Sequence, residues 1–499
     1  MSADTSYDAR TGEVVEHIEV SSPSEIAEAL SAAEAAAPRV AAATPAERRG
    51  WLEALASALT EPETAETLVG TADRETALGD QRLRGELARC AGQLRFYGDV
   101  AAEGSYLEAT IDHATLVAPE MRRMTVPLGP VAVLGASNFP FAFGTLGNDT
   151  ASALAAGCPV LAKAHPAHPA TSRILGAVAA EALAAAGAPA GTFALLSGFA
   201  SGQQLVRSPQ TKALAFTGSQ GAGMALWQMA NDREVVIPVY AEMGTINPVV
   251  MTPDALDRVD AIATGFVASM SLGMGQFCTK PGLLLVPAGH EVPSGIAAAL
   301  TAASPRGWML TGAIAAGVRS GVDELCEAGA ELLAQVPSAG AGWSAPATVL
   351  HARADAIRPG SRLTQECFGP VALVVEYEDI AELRRILAGL PGAIAGSVMT
   401  SGPGDPQTAE FVALVAQLVG RVSVNDWPTG VAFSWAQHHG GPWPATTVPS
   451  ATSVGAAALG RFTRPVTWQS VPESALPPAL REDNPWQLPR RVDGLRVGP

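Results

Sequence analysis

Charge is scarce in this 499-residue chain: Asp, Glu, Lys and Arg make up 16% of it, against 48% apolar residues. That balance excludes the self-repelling, weakly hydrophobic composition of a disordered chain and is ample for a large core. Positive charge is scarcer still. Lys and Arg total 32 against 48 acidic residues, a formal net charge of −16, and nowhere do they gather into a stripe that would neutralise phosphates. Nucleic acid is excluded as the expected partner, and an acidic surface disfavours anionic lipid. Cysteine is limited to Cys90, Cys158, Cys278, Cys326 and Cys367, an odd number without a CxxC pair, which indicates neither a disulfide framework nor a zinc or other metal site and fits a reducing interior. No stretch holds the ~18–20 uninterrupted apolar residues of a membrane span, and MSADTSYDAR lacks the basic and apolar segments of a secretory signal. The expectation is a soluble, cytoplasmic protein of two to four domains.

What is present is a change of period along the chain. From Ser24 to Phe96 apolar residues recur at three and four, as in Trp51, Leu52, Leu55 and Leu59, and predict amphipathic helices. Then come short apolar runs, VAVLG (131–135), PVLAK (159–163), FALLSG (193–198), ALAFTG (213–218) and VVIPVY (235–240), which suit doubly buried parallel strands. Ala-rich segments at 144–156 and 170–186 are long enough for crossover helices. The reading is an open α/β sheet with its ligand crevice at the strand C-termini. A second α/β unit runs from Asn247 to Val424, with strands expected at 282–287, 371–377 and 395–400, and 335–348 reads as a loop. The tail beyond Gly430 reads as a surface loop followed by an edge strand in RPVTWQSV.

Few residues stand out for chemistry. Cys278 lies in GMGQFCTKPG, where flanking glycines and Pro281 predict a loop that can expose the thiol to substrate; taken alone, a lone cysteine is more often an inert packed residue than a nucleophile. Glu242, in VYAEMGTINP directly after an expected buried strand, has apolar neighbours that disfavour its charged form, which suits a general base; a salt-bridged glutamate fits equally. Asn138 follows VAVLG at the C-terminal sheet edge, where its amide can donate to an oxyanion or merely form a turn before Pro140. Lys163 ends PVLAK, and Thr217, Gly218 and Ser219 mark a strand-to-helix passage whose small residues would admit a pyrophosphate. GSQGAG is not GxGxxG, so the usual dinucleotide fingerprint is missing.

In order, SNFPFAFG, LAKAHPAHP, AFTGS, AEMGTINP, GQFCTKPG and QECFGPV closely resemble the signature blocks of the aldehyde dehydrogenase superfamily across nearly the whole chain. RETALGDQRLRGE, KAHPAHP, YAEMG, GQFCTKPG and HHGGPWPATT look most like its 2-oxoglutarate semialdehyde (2,5-dioxopentanoate) dehydrogenases, with bacterial fatty-aldehyde dehydrogenases as neighbours. The resemblance implies a Rossmann-type cofactor domain (1–111 and 128–246), an α/β catalytic domain (247–430), and an oligomerisation arm with C-terminal tail (112–127 and 431–499) that would make a homodimer or homotetramer. It implies that Cys278 attacks an aldehyde, that Asn138 and the Cys278 N–H hold the oxyanion, and that Glu242 activates the hydrolytic water. It further implies that Lys163, Gly218 and Ser219 contact the cofactor, that Glu366 bonds the nicotinamide ribose, and that Phe368 packs near the nicotinamide. Cys367 reads as a packed thiol.

One departure bears on the cofactor. NAD-preferring members often carry a glutamate three residues after the strand-end lysine; here that residue is Pro166, so a 2'-phosphate meets no carboxylate, and NADP is favoured with NAD possible. Arg207 is the nearest arginine in sequence. Two other readings compete. A CoA-acylating dehydrogenase usually lacks the base, against which Glu242 argues, and a catalytically silent structural or binding protein would have no need of Cys278, Glu242 and Asn138 together.

Overall fold

A short hairpin, β1 (Ala3–Tyr7) and β2 (Val14–Glu19), leads into four helices, two of which begin where the sequence supplies a full cap. Ser22 and Thr44 each accept the third amide of α1 (Pro23–Ala42) and α2 (Pro45–Thr60), while Glu25 and Glu47 reach back to the cap amide. The apolar stripe Trp51, Leu52, Leu55 and Leu59 is buried, as its period requires. α3 (Pro62–Thr76) and α4 (Asp80–Glu103) follow, then β3 (Thr110–Asp112) and β4 (Met121–Pro127). The computed structural model describes residues 3–498.

The expected parallel sheet is present: β5 (Val131–Leu134), β6 (Val160–Lys163), β7 (Phe193–Leu196), β8 (Ala213–Gly218) and β9 (Val239–Met243), ordered β7-β6-β5-β8-β9 and parallel throughout. α5 (Asn148–Ala156), α6 (Pro169–Ala185), α7 (Phe199–Arg207) and α8 (Gln220–Asn231) make the crossovers. The order reverses beside β5, which puts the ligand crevice at the C-terminal ends of β5, β6 and β8. One strand is displaced from expectation. Pro238 carries no N–H and Val235 and Val236 are exposed, so pairing starts at Val239 and runs to Met243. Glu242 therefore lies within β9, not after a strand.

A second sheet holds β10 (Pro248–Met251), β11 (Leu283–Pro287), β12 (Glu331–Val336), β13 (Ala347–Ala352), β14 (Val371–Tyr377), β15 (Ala393–Met399) and β16 (Val419–Val424). Its order is β12-β13-β14-β11-β10-β15-β16, with β12 alone antiparallel to its neighbour. The three strands expected here are observed, and 337–346 is the loop between β12 and β13. A third sheet joins distant parts of the chain: β17 (Thr463–Gln469) pairs antiparallel with β4 from Thr463↔Pro127 to Gln469↔Met121, and β18 (Arg490–Val492) and β19 (Leu495–Val497) extend its far side beyond β3. RPVTWQSV is thus an edge strand.

The rest of the tail departs from expectation. Residues 445–447 lie along β9, with Met243 N donating to Ala445 O at 2.9 Å and Thr447 N to Ala241 O at 3.2 Å. The backbone of 439–441 is pressed against the second sheet so closely that a Cβ on Gly441 would lie 2.3 Å from Ala393 O. This segment is a buried bridge, because β9 is an edge strand whose free amides and carbonyls it satisfies. No helix among the described residues is long and apolar enough to cross a membrane.

Candidate active site

Cys278 sits in a turn between a tight 3-10 segment at Leu272–Gly275 and β11, partly buried, as the glycines and Pro281 imply. Its backbone is fastened from below: Asn247 Nδ2 donates to Cys278 O at 2.7 Å and to Lys280 O at 3.0 Å. Lys280, fully buried, donates from Nζ to Cys367 O at 2.9 Å and Val371 O at 2.7 Å, tying the cysteine turn to the QECFGP loop. Burial lowers its pKa. Neither Asn247 nor Lys280 was singled out in the sequence, although both stand inside the quoted blocks.

One side chain in contact with the thiol is one that sequence reasoning missed. His439 Nε2 lies 3.6 Å from Cys278 Sγ and 2.9 Å from Glu242 Oε1, and the imidazole is 1% exposed. Its place is set by the tail, where His439 N donates to Thr452 Oγ1 at 2.7 Å and Ser453 N to His439 O at 2.8 Å. Ser453 Oγ donates to Glu242 Oε2. The pattern HHGGP contained the signal, but nothing in local periodicity carries a residue 161 positions away to the thiol.

These neighbours overturn the electrostatic expectation for Glu242. Burial does push its pKa up, but the His439 charge in contact with Oε1, together with the hydroxyl of Ser453 and the Cys278 thiol, outweighs it and holds the carboxyl below the ordinary range. Glu242 is an ionised partner of a histidine, not a carboxyl stranded among apolar groups. The thiol goes the other way: burial, then the charges of Glu242 and Glu366, push Cys278 well above the ordinary thiol range. A standing thiolate is disfavoured, so attack by sulfur needs a base acting in the same step. Behind the pair, a cavity of about 20 Å³ lined by Glu242, His439, Thr446, Ser453 and Arg461 has room for one water.

Asn138 follows β5 and is buried, with Nδ2 donating to Gln276 O at 2.8 Å. That bond uses one of its two amide hydrogens and holds the side chain against the turn that carries Cys278; the second remains for an oxyanion. Arg82, on α4, donates from Nη2 to Asn138 O at 2.8 Å and lies over the rings of Phe139 and Phe277, which themselves meet edge to face.

The expected cofactor residues gather around the crevice. Lys163 ends β6 and is largely desolvated, which lowers its pKa. Gly218 ends β8, and Ser219 caps α8 by accepting the Ala222 amide at 3.4 Å. Opposite, Glu366 lies over Gly244 so closely that a Cβ there would be 1.8 Å from Oε2; its Oε1 is buried without a partner, and burial raises the carboxyl to about 7. A cleft of about 310 Å³ opens between the halves, lined by Gln220, Gly244, Thr245, Thr364, Glu366 and Pro444. An orphaned carboxylate oxygen, a helix N-terminus and a strand-end lysine fit a polar dinucleotide. Phe368 is half-buried beside Cys367, which is packed and raised by burial. Arg207 closes α7, about 13 Å along the helix from the crevice end, and faces a different surface.

Arrayed so, a thiol, an imidazole–carboxylate pair and a fixed amide on a nucleotide-type sheet define a cysteine-dependent oxidoreductase site. Residues 3–442 match the model of the aldehyde dehydrogenase family, and the chain belongs to that family. It is 44% identical over 465 residues to alpha-ketoglutaric semialdehyde dehydrogenase 2 of Azospirillum brasilense, covering 90% of this chain and 87% of that one. It is 38% identical to alpha-ketoglutaric semialdehyde dehydrogenase of Acinetobacter baylyi, covering 85% and 82%. The fold is shared with PnpE in complex with nicotinamide adenine dinucleotide, at a TM-score of 0.80, 19% identity and 94% of each chain.

Proposed function

We propose that this enzyme oxidises 2,5-dioxopentanoate to 2-oxoglutarate with a nicotinamide cofactor, through a thiohemiacetal and a thioester on Cys278. The observation that carries the chemistry is the chain of contacts from Cys278 Sγ to His439 Nε2 at 3.6 Å and on to Glu242 Oε1 at 2.9 Å; the relatives' names support the substrate. In its neutral form, with Nε2 unprotonated, His439 takes the thiol proton as sulfur attacks the aldehyde carbon, and Glu242 then holds the imidazolium through the Nε2–H so formed. The free hydrogen of Asn138 Nδ2 and the Cys278 N–H receive the oxyanion. A bound nicotinamide supplies the hydride acceptor. Once that first proton has left to solvent, water beside Glu242 attacks the thioester while the His439–Glu242 pair removes its proton and returns it to the departing sulfur.

We assign the cofactor to residues 1–111 and 128–246, where Lys163, Gly218 and Ser219 line the crevice, and the chemistry to 247–430, where Glu366 faces the nicotinamide ribose and Phe368 the ring. Residues 112–127 and 431–499 make the arm and tail. Exposed Leu495 and Val497 on the arm's last strand support association into a homodimer or homotetramer, which light scattering after size exclusion measures. Pro166 beyond Lys163, with no carboxylate, supports NADP over NAD.

Comparing kcat/KM for 2,5-dioxopentanoate and medium-chain aldehydes by NAD(P)H absorbance, with each cofactor and with Cys278→Ala as control, tests the reading. Preference for apolar aldehydes overturns the substrate. Absence of signal with either cofactor overturns the enzyme.

A further inference from the structure

α4 presents Arg82, Glu86 and Arg89 on one face toward the site, at spacings of four and three. Two of them are engaged. Arg82 bonds Asn138 O, and Glu86 Oε1 accepts the amides of Phe141 and Ala142 at 2.8 and 3.0 Å, holding the loop that carries Asn138. Arg89 differs. Its Nε and Nη2 are buried and have no hydrogen-bond partner, and it forms no ion pair among the described residues. The guanidinium lies between the rings of Phe143 and Phe433, its carbon 5.7 and 5.8 Å from their centroids. The rings offer π-faces to the cation but no acceptor in the plane of its N–H groups.

An orphaned guanidinium edge is costly to bury, and its geometry matches a planar two-oxygen acceptor. Its place shows which one. Phe143 also adjoins His439, ring centroids 6.4 Å apart, and His439 touches the Cys278 sulfur. Arg89 therefore stands one aromatic ring away from the imidazole that touches the nucleophile. Burial lowers its pKa, opposed first by the charge of Glu86 one turn back on α4.

We propose that Arg89 binds the substrate's distal carboxylate, with Nε and Nη2 donating to its two oxygens, and so selects short aldehydes ending in a carboxylate over uncharged ones. The assignment rests on the anionic-substrate reading given above and names the group that recognises it. The aromatic pair serves as walls, excluding water from the ion pair and flanking a narrow carbon chain.

The test is the selectivity ratio, kcat/KM for 2,5-dioxopentanoate over kcat/KM for pentanal, in the parent and in Arg89→Met and Arg89→Lys. The expected fall is about 100-fold for Arg89→Met, about 2.7 kcal/mol for a charge-assisted pair left unmade, and less for Arg89→Lys. Added guanidinium ion should restore part of the ratio in Arg89→Met. A purely structural role would lower both substrates together and give no rescue, and a ratio within threefold of the parent overturns the assignment alone. A parent enzyme that itself prefers pentanal overturns the anionic-substrate reading and this assignment with it.

Discussion

Replacing His439 by glutamine removes the imidazole that touches the nucleophile while leaving a side chain able to fill the space. An ordinary thiol is a few per cent ionised at neutral pH. Burial and the charges of Glu242 and Glu366 push Cys278 well above that range, and each further pKa unit removes another tenfold of thiolate. Attack therefore depends on proton removal by the imidazole at 3.6 Å, a contribution of roughly 10²–10⁴. His439→Gln should slow both iodoacetamide alkylation of Cys278 and the single-turnover burst of NAD(P)H by at least about 100-fold at pH 7. The deficit should shrink as pH rises, because hydroxide then does what the imidazole did. Stopped-flow absorbance and timed alkylation across pH 6 to 10 measure both. If the variant stays within threefold of the parent at pH 7, or if the deficit is the same at every pH, His439 is not the base.

Glu242→Gln should retain the burst but slow steady-state release of acid by about 10²-fold, leaving an acylated Cys278 detectable by intact-protein mass spectrometry; acid release at the parent rate would remove Glu242 from deacylation. Cys278, His439 and Glu242 place one donor atom each within 4.8 Å of one another, so Zn²⁺ should inhibit reversibly, protect Cys278 from alkylation and lose this effect in His439→Gln. Unchanged alkylation at saturating Zn²⁺ would refute that. Glu86, raised to about 7 by burial against an unfolded value near 4.5, binds more protons folded than unfolded. Its contribution to stability is full below pH 4.5 and is lost as pH rises through 7, by at most about 3 kcal/mol. Glu86→Gln should flatten that decline in denaturant titrations at pH 5 and 7. Gly244→Ala sets a methyl 1.8 Å from Glu366 Oε2 and should raise KM for the cofactor at least tenfold with the melting temperature little changed; equal loss in both would make Gly244 merely structural.

What the amino-acid order determined by itself was local. Period and caps marked α1 and α2, short apolar runs marked β5, β8, β11 and β14, and glycines with Pro281 exposed the Cys278 turn, because dihedral preference and burial act over a few residues. The blocks around Asn138, Glu242 and Cys278 were legible for the same reason. Tertiary structure decided the rest. Glu242 read as a carboxyl among apolar groups until the tail laid His439 and Ser453 against it, and a tail that looked like a surface loop proved to be the strip that covers the edge of β9. The orphaned edge of Arg89 has no local sequence signature, since its helical spacing matches that of Arg82, which is bonded. Charge, proton affinity and unsatisfied hydrogen bonds depend on which groups meet across the core, and residues 161 positions apart meet only once the chain has folded.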